Sequence, residues 1–159
     1  MKKTIAFVTG GLQFNGDSLK TKSLGGSESA MIYMAKEIAK LGNEVTVYCD
    51  CDKPGMYDNV DYRHFKNFMK DEKAQVDVCV ISRFTHFLSE PIDSKLNILW
   101  IHDTGIWYPE ESLAKIDKIF CLSDYQKDIF KEQYKIEKNW FDFDILLPII
   151  KADKKNKDE

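Results

Sequence analysis

The clearest hydrophobic pattern in the chain lies between residues 24 and 50. Its apolar positions recur at intervals of three and four residues, which places them on one face of an amphipathic helix. They are Met31, Met34, Ala35, Ile38 and Leu41. Gly42 then ends the helix, and the alternating, β-branched stretch Glu44 to Cys49 predicts a strand.

Two glycines stand directly before this helix. Gly25 and Gly26 permit a sharp backbone turn and leave no Cβ between the chain and a docked group. Ser27 is the expected N-cap, and Glu28 falls in the first turn, where its charge complements the positive helix end. Free N–H groups and a positive dipole end together favour a phosphate or diphosphate, although an ordinary turn would read the same.

Short apolar runs predict the other strands, and weaker helical patterns separate them. Asp77–Ser82 and Asn97–His102 are nearly continuous and are the best candidates for central strands. Ser123 and Gln126 have the spacing of a capping box before a further helix. The remaining strands are predicted at Thr4–Thr9, Val60–Phe65 (towards an edge), Lys118–Leu122 and Phe143–Leu147, and short helical segments at Lys66–Gln75, Phe84–Leu88 and Ser112–Ile116.

Strands that alternate with helices predict an α/β fold. We expect a single Rossmann-like, doubly wound parallel sheet of about 6–7 strands with helices on both faces, formed by residues 1–150. The charged tail 151–159 has nothing to bury and is expected to be disordered. Ligands of such sheets bind beyond the carboxyl ends of the strands. The loops that meet at this edge are 10–27, 50–59, 82–86, 102–110 and 123–125.

Composition narrows the classes of function. The formal net charge of −3 and the pI near 5.7 argue against nucleic acid as a partner, because that requires a dense basic face. No apolar run approaches the ~20 residues of a transmembrane helix. The four cysteines form no C-x-x-C pair, and three lie in strand-like runs. Buried reduced thiols and a cytoplasmic location are therefore expected.

A histidine closes one of the two strongest strands. His102 and Asp103 follow an apolar run, so they are delivered to the binding edge of the sheet. An imidazole titrates near neutral pH and can exchange a hydrogen bond with a reacting sugar or phosphate. A structural role, capping the strand, is the alternative. His64 and His86 are less well placed, and Trp100, Trp107 and Tyr108 are candidates to stack on a sugar, with Trp100 more typical of core.

Two other site types are disfavoured. Thr9, Gly10 and Gly16 fit the nucleotide loop of short-chain dehydrogenases, but Phe14 replaces the glycine that permits approach of the pyrophosphate. The Asp-x-Asp triplets, one at Asp50 and Asp52 and one at Asp142 and Asp144, are minor candidates for a metal site.

Taken together, these motifs resemble the N-terminal domain of retaining family 4 glycosyltransferases of the GT-B fold. The resemblance covers nearly the whole chain and rests on Gly-Gly-x-Glu before the helix, Asn-Glu-Val-Thr-Val in the next strand, a strand ending in His-Asp and another ending in Ser before a helix. Asn43 replaces the usual His. The Glu-x₇-Glu motif and second domain of that family have no counterpart in these residues.

The resemblance implies transfer of a sugar from a nucleotide-sugar donor to a carbohydrate or other hydroxyl acceptor, with retention and without a metal or other cofactor. It also implies a separate donor-binding domain. The other class of function left open is a non-catalytic sugar, nucleotide or protein-binding module. The expected catalytic residues are His102 and Asp103, and the expected donor-diphosphate and substrate residues are Gly11, Gly25, Gly26, Ser27, Glu28, Arg83 and Ser123.

Overall fold

The strands pair into one seven-stranded sheet in a computed structural model that describes residues 1–71, 75–89, 92–106, 111 and 113–135. The strands are β1 (Thr4–Val8), β2 (Glu44–Cys49), β3 (Gly55–Tyr57), β4 (Val60–His64), β5 (Val76–Ser82), β6 (Ser94–Trp100) and β7 (Lys118–Phe120). The α-helices are α1 (Gly26–Lys40) and α2 (Asp124–Tyr134), and short 3-10 helices lie at Ser18–Lys20, Phe65–Lys70 and Thr85–Ser89.

The sheet order is β3-β4-β2-β1-β5-β6-β7. All pairs are parallel except β3 with β4. The chain builds outwards from β1 on one side as far as β3 and β4, then returns to add β5, β6 and β7 on the other side. The direction of winding therefore reverses between β1 and β5.

One edge of the sheet differs from the prediction. Residues 50–59 were expected to be a turn-rich connection, and the following strand was expected to lie towards the edge. Part of that connection instead forms β3, which pairs with β4 in a hairpin and is the edge strand, while β4 lies next to it, towards the edge as expected. Asp58 and Asn59 have φ of 49° and 62°, the left-handed conformation that a two-residue hairpin turn requires. A three-residue strand is too short to show alternation in the sequence.

Side chains of successive strand residues enter two separate cores, one on each face of the sheet. Ile5 and Phe7 of β1 join the core that contains Met31, Ala35 and Ile38 of α1. Ala6 and Val8 join the opposite core, which contains Phe130 of α2 and Phe68 and Leu88 of the 3-10 segments. The α/β class, with a mostly parallel sheet and helices, is thereby confirmed.

The N-cap predicted for α1 was wrong, whereas the other helix ends agree with the sequence. The N-cap of α1 is Gly25, with extended backbone at φ −65° and ψ 163°, so the helix begins before the predicted cap, Ser27. Gly42 follows the helix with φ +92°, as expected of a glycine stop. Ser123 is the N-cap of α2, and its Oγ accepts a hydrogen bond from N of Gln126 at 3.2 Å.

The prediction of buried thiols is confirmed: Cys49, Cys51, Cys79 and Cys121 are free and buried.

In the described part of the chain, no helix combines the length and the apolar character needed to cross a membrane. The predicted strand Phe143–Leu147, the tail 151–159 and the residues Trp107, Tyr108 and Ser112 lie outside the described residues.

Candidate functional site

The site is built where the carboxyl ends of β1, β5 and β6 meet the N-terminus of α1. The first loop follows β1 through Gly10 and Gly11, and the second follows β5 through Arg83 and Phe84. The Phe84 ring packs against both glycines, since a Cβ added at either would lie 3.5–3.6 Å from it. Loops after β1 and β5 thus flank the point where the winding reverses, which is where open α/β sheets bind ligands.

Arg83 joins three elements of the site. Its Nε donates to Oδ2 of Asp103, after β6, at 2.8 Å, and its Nη1 donates to Oγ of Ser27, in the first turn of α1, at 3.2 Å. Its backbone has φ +64°, in the left-handed region, and its N–H donates to O of Trp100 at 3.1 Å. One cation therefore connects the N-terminus of α1 with the loops that follow β5 and β6.

Glu28 is a buried carboxylate, only 4% exposed. It accepts a hydrogen bond from Oγ of Ser27 at 3.1 Å. Its two oxygens also lie against glycines: a Cβ at Gly11 would come within 2.9 Å of Oε1, and one at Gly25 within 2.4 Å of Oε2. A side chain at either glycine would therefore require this carboxylate to shift. By contrast, no atom of the described residues outside this helix lies within 4 Å of a Cβ built on Gly26, so a side chain there would meet open space.

His102 extends from the end of β6 with its imidazole partly buried. Its ring centroid lies 4.7 Å from that of Trp100, and its Nε2 is buried without a hydrogen-bond partner in the described structure. Burial lowers the pKa of His102, and the nearby positive charge of Arg83 lowers it further, whereas the carboxylates of Asp103 and Glu28 oppose this shift. The neutral imidazole is therefore favoured near pH 7, able both to donate and to accept a hydrogen bond.

Gln126 braces the loop that carries Asp103. Its side chain is 7% exposed; Oε1 accepts from N of Leu122 at 2.8 Å, and Nε2 donates to O of Asp103 at 2.9 Å. The end of β6 is thus tied to the start of α2. Ser123 participates only through this brace, as the cap of the same helix, and its hydroxyl is used by Gln126.

A cavity of about 350 Å³ opens beside the Arg83–Asp103 pair. Charged groups line one side of it, and α2 closes the other. There the hydroxyl of Tyr134 accepts from N of Ile106 at 2.8 Å and from Nε2 of Gln133 at 3.2 Å. Its lining residues are Arg83, Phe84, Asp103, Gly105, Ile106, Gln133 and Tyr134.

The structure thus brings most of the predicted site residues together. Ser27, Glu28, Arg83 and Asp103 are connected by direct hydrogen bonds, and His102 lies beside them. Ser123 lies one step away. The capping-box spacing singles out Gln126 in the sequence but does not predict its hydrogen bonds to Leu122 and Asp103. Nothing in the sequence indicates that Arg83 connects the loops after β5 and β6.

The other candidates lie elsewhere on this edge and have structural partners. Asp50 lies 3.4 Å from Nε2 of His64, and Asp52 accepts from Nδ2 of Asn15 at 2.9 Å. Across the described residues, no group of three or more His, Cys, Asp or Glu side chains is arranged to hold a metal ion. Asp142 and Asp144 lie outside those residues.

Neither a scan against protein-family models nor a search of curated proteins finds a match to this chain.

Proposed function

We propose that this chain is the acceptor-side half of a retaining, GT-B-type glycosyltransferase, which transfers a sugar from a nucleotide-sugar to a hydroxyl acceptor together with a donor-binding domain. The observation that carries the proposal is the meeting of an open helix N-terminus, a cation and a neutral histidine where the sheet reverses its winding. Cytoplasmic location and independence from metal are part of the same proposal.

The strand order supports the Rossmann-like classification. Counted along the chain, the six parallel strands β1, β2, β4, β5, β6 and β7 lie in the order 3-2-1-4-5-6. This is the order of sheets that bind dinucleotides at the reversal point, between the first and fourth parallel strands. In this chain that point lies between β1 and β5, beside Gly11 and Arg83.

The charges at this point suit a diphosphate. The first N–H groups of a helix have no acceptor within the helix, and the helix dipole adds positive potential there. Gly26 is exposed and adds no side chain at this helix end, and Arg83 places a cation beside it through its hydrogen bond to Ser27. Glu28 is negative and turned inwards, so we assign the diphosphate contacts to the backbone amides of Gly26 and Ser27 and to Arg83.

His102 supplies the group for the acceptor side. A neutral imidazole near the departing diphosphate can accept a hydrogen bond from the acceptor hydroxyl. Glycosyl transfer chiefly requires stabilisation of the charge that develops on the leaving diphosphate, and preorganised amides provide it without reorganisation. Asp103 holds Arg83 in place and moderates its charge, because the two side chains are ion-paired.

The proposal is tested by titrating UDP and GDP against the chain while the amide signals of residues 25–28 are followed by NMR. Gly26→Pro and Gly26→Ala form a matched pair. Proline is tolerated at the first helical position and lacks only the N–H, and the extended backbone of Gly25 suits a following proline. We expect G26A to bind the nucleoside diphosphates and G26P to bind them several-fold more weakly.

Uridine and guanosine without phosphate serve as ligand controls and should leave residues 25–28 unperturbed. If the amide signals of residues 25–28 do not shift at millimolar UDP and GDP, or if G26P and G26A bind equally, a diphosphate site on α1 is contradicted. Transfer activity that appears only when a donor-binding domain is supplied would separate a half-enzyme from a binding module.

A further inference from the structure

Among the residues that the structure describes, three buried polar atoms without hydrogen-bond partners lie on one face of the sheet, at the carboxyl ends of β5 and β6. They are Oγ of Ser82, Nε1 of Trp100 and Nε2 of His102. Ser82 and Trp100 are direct neighbours in the strand register, and His102 follows Trp100 by two residues. Their residues belong to the face that α1 covers, because Val80, Ile98 and Trp100 share a core with the helix.

Leaving such atoms unpaired is costly. Ser82 is fully buried and Trp100 is 4% exposed, so bulk solvent does not reach them. A buried polar group without a partner destabilises a fold by about 1–3 kcal/mol, and native proteins almost always satisfy such groups, often with ordered water. One internal water commonly serves about three such groups.

A buried carboxylate, Glu28, belongs to α1, the helix that covers this face of the sheet. Glu28 is 4% exposed and, within the described residues, receives one hydroxyl hydrogen bond, from Ser27, although a buried carboxylate needs several donors. Gly11 and Gly25 press closely on its oxygens, and the carboxylate is near enough to act electrostatically on His102. The sheet thus contributes a hydrogen-bond donor, Trp100, a hydroxyl that can donate or accept, Ser82, and the imidazole of His102. The helix contributes the Glu28 carboxylate, which has too few hydrogen-bond donors.

We infer that these groups enclose an internal water site, through which the Glu28 carboxylate holds the His102 ring with its Nε2 inwards and protonated. Glu28 is then a positioning residue, acting through His102. The water accepts from Nε1–H of Trp100 and from Nε2–H of His102, and it donates to the Glu28 carboxylate and to Oγ of Ser82, so each polar atom gains a partner. The inference rests on the proposed function only for the use made of His102, since the water site itself requires no substrate.

This arrangement fixes the role of the other ring nitrogen, Nδ1. With the proton on Nε2, the Nδ1 atom of His102 carries a lone pair and acts as the acceptor for a substrate hydroxyl. The charged groups that face the ring are Arg83, Asp103 and Glu28. Glu28 thereby selects the tautomer that a base on the acceptor side requires.

The test uses the three histidines of the chain, His64, His86 and His102, labelled with ¹⁵N and followed by NMR across a pH titration. We expect the neutral form of His102 to carry its proton on Nε2, and the indole Nε1–H of Trp100 to show a cross-relaxation signal to bound water. Glu28→Ala should shift the tautomer towards Nδ1–H and abolish that signal. Glu28→Gln keeps an acceptor oxygen and should largely preserve the Nε2–H tautomer.

Both variants remove a negative charge, so both should lower the pKa of His102 while the signals of His64 and His86 stay unchanged. An Nδ1–H tautomer in the unmodified chain, or an unchanged His102 pKa in folded E28Q, would overturn the inference. If E28A does not fold, E28Q and the unmodified chain still decide the question. Failure of UDP and GDP to bind would count against the proposed function and leave these readouts unaffected.

Discussion

The guanidinium of Arg83 lies 2.8 Å from the carboxylate of Asp103, twenty residues further along the chain, and it reaches this partner from a backbone with φ +64°. The side chains are 32% and 56% exposed, so water screens the pair. An ion pair of this kind adds less than about 1 kcal/mol to stability. The main effect of the ion pair is to orient the Arg83 guanidinium, which it holds beside the first turn of α1.

Replacing Arg83 separates the backbone contribution from that of the side chain. Arg83→Ala and Arg83→Gly both remove the guanidinium, but only glycine adopts the left-handed conformation without steric cost. We expect R83G to be more stable than R83A by about 1 kcal/mol in urea unfolding. Equal stabilities would show that the loop relaxes to another backbone conformation when the ion pair is lost.

Adjacent glycines at the start of α1 should respond to alanine in opposite ways. A Cβ at Gly25 would lie 2.4 Å from Oε2 of Glu28, whereas a Cβ at Gly26 meets open space. Gly25→Ala should therefore destabilise the fold by about 1–3 kcal/mol. Gly26→Ala should leave stability unchanged or raise it by up to about 1 kcal/mol, since alanine favours the helix. Thermal or urea unfolding of the two variants measures the difference.

The cause of the Gly25 effect can be isolated with a double-mutant cycle. If the clash with Glu28 is responsible, G25A should cost much less in an E28A background than alone. An additive result would instead assign the loss to the helix cap, where alanine is poorer than glycine whatever its neighbours.

Gln126 offers a test of the brace between β6 and α2. Gln126→Ala would remove the partners of N of Leu122 and O of Asp103, which should cost about 1–3 kcal/mol. Gln126→Glu keeps an acceptor for Leu122 but places an oxygen against the Asp103 carbonyl. We expect Q126E to retain protection of the Leu122 amide in hydrogen exchange, and Q126A to lose it. Unchanged protection in Q126A would place the anchor of this loop elsewhere.

Patterns in the sequence predicted the helices and strands that depend mainly on neighbouring residues. The three- and four-residue spacing from Met31 to Leu41 located α1, and continuous apolar runs located β5 and β6, because these periodicities follow directly from helix and strand geometry. The hairpin of β3 was missed since Gly55–Tyr57 is too short to alternate. The cap of α1 was misplaced because Ser27, a good cap by residue type, is bonded instead to Arg83 and Glu28.

The place where the candidate site residues meet was easier to predict than their contacts. Carboxyl ends of parallel strands meet at one edge, so Gly11, Arg83 and His102 could be placed there from the strand order alone. The inward turn of Glu28 and the left-handed backbone of Arg83 depend on contacts between residues far apart in the chain. No local pattern encodes such contacts, and only the folded arrangement reveals which side chains are used as partners.

The lowered pKa of His102 makes a prediction about the pH dependence of folding. A histidine whose pKa lies below its usual value of 6.5 binds fewer protons when folded than when unfolded. Stability contributed by this site is therefore complete above about pH 6.5 and falls as the pH decreases towards the folded pKa. Burial also lowers the pKa of His86, which acts in the same direction.

We expect His102→Asn to reduce the loss of stability between neutral and mildly acidic pH, as measured by urea unfolding, and to leave the part due to His86. A slope unchanged in H102N would mean that the ring is solvated equally in the folded and unfolded chains.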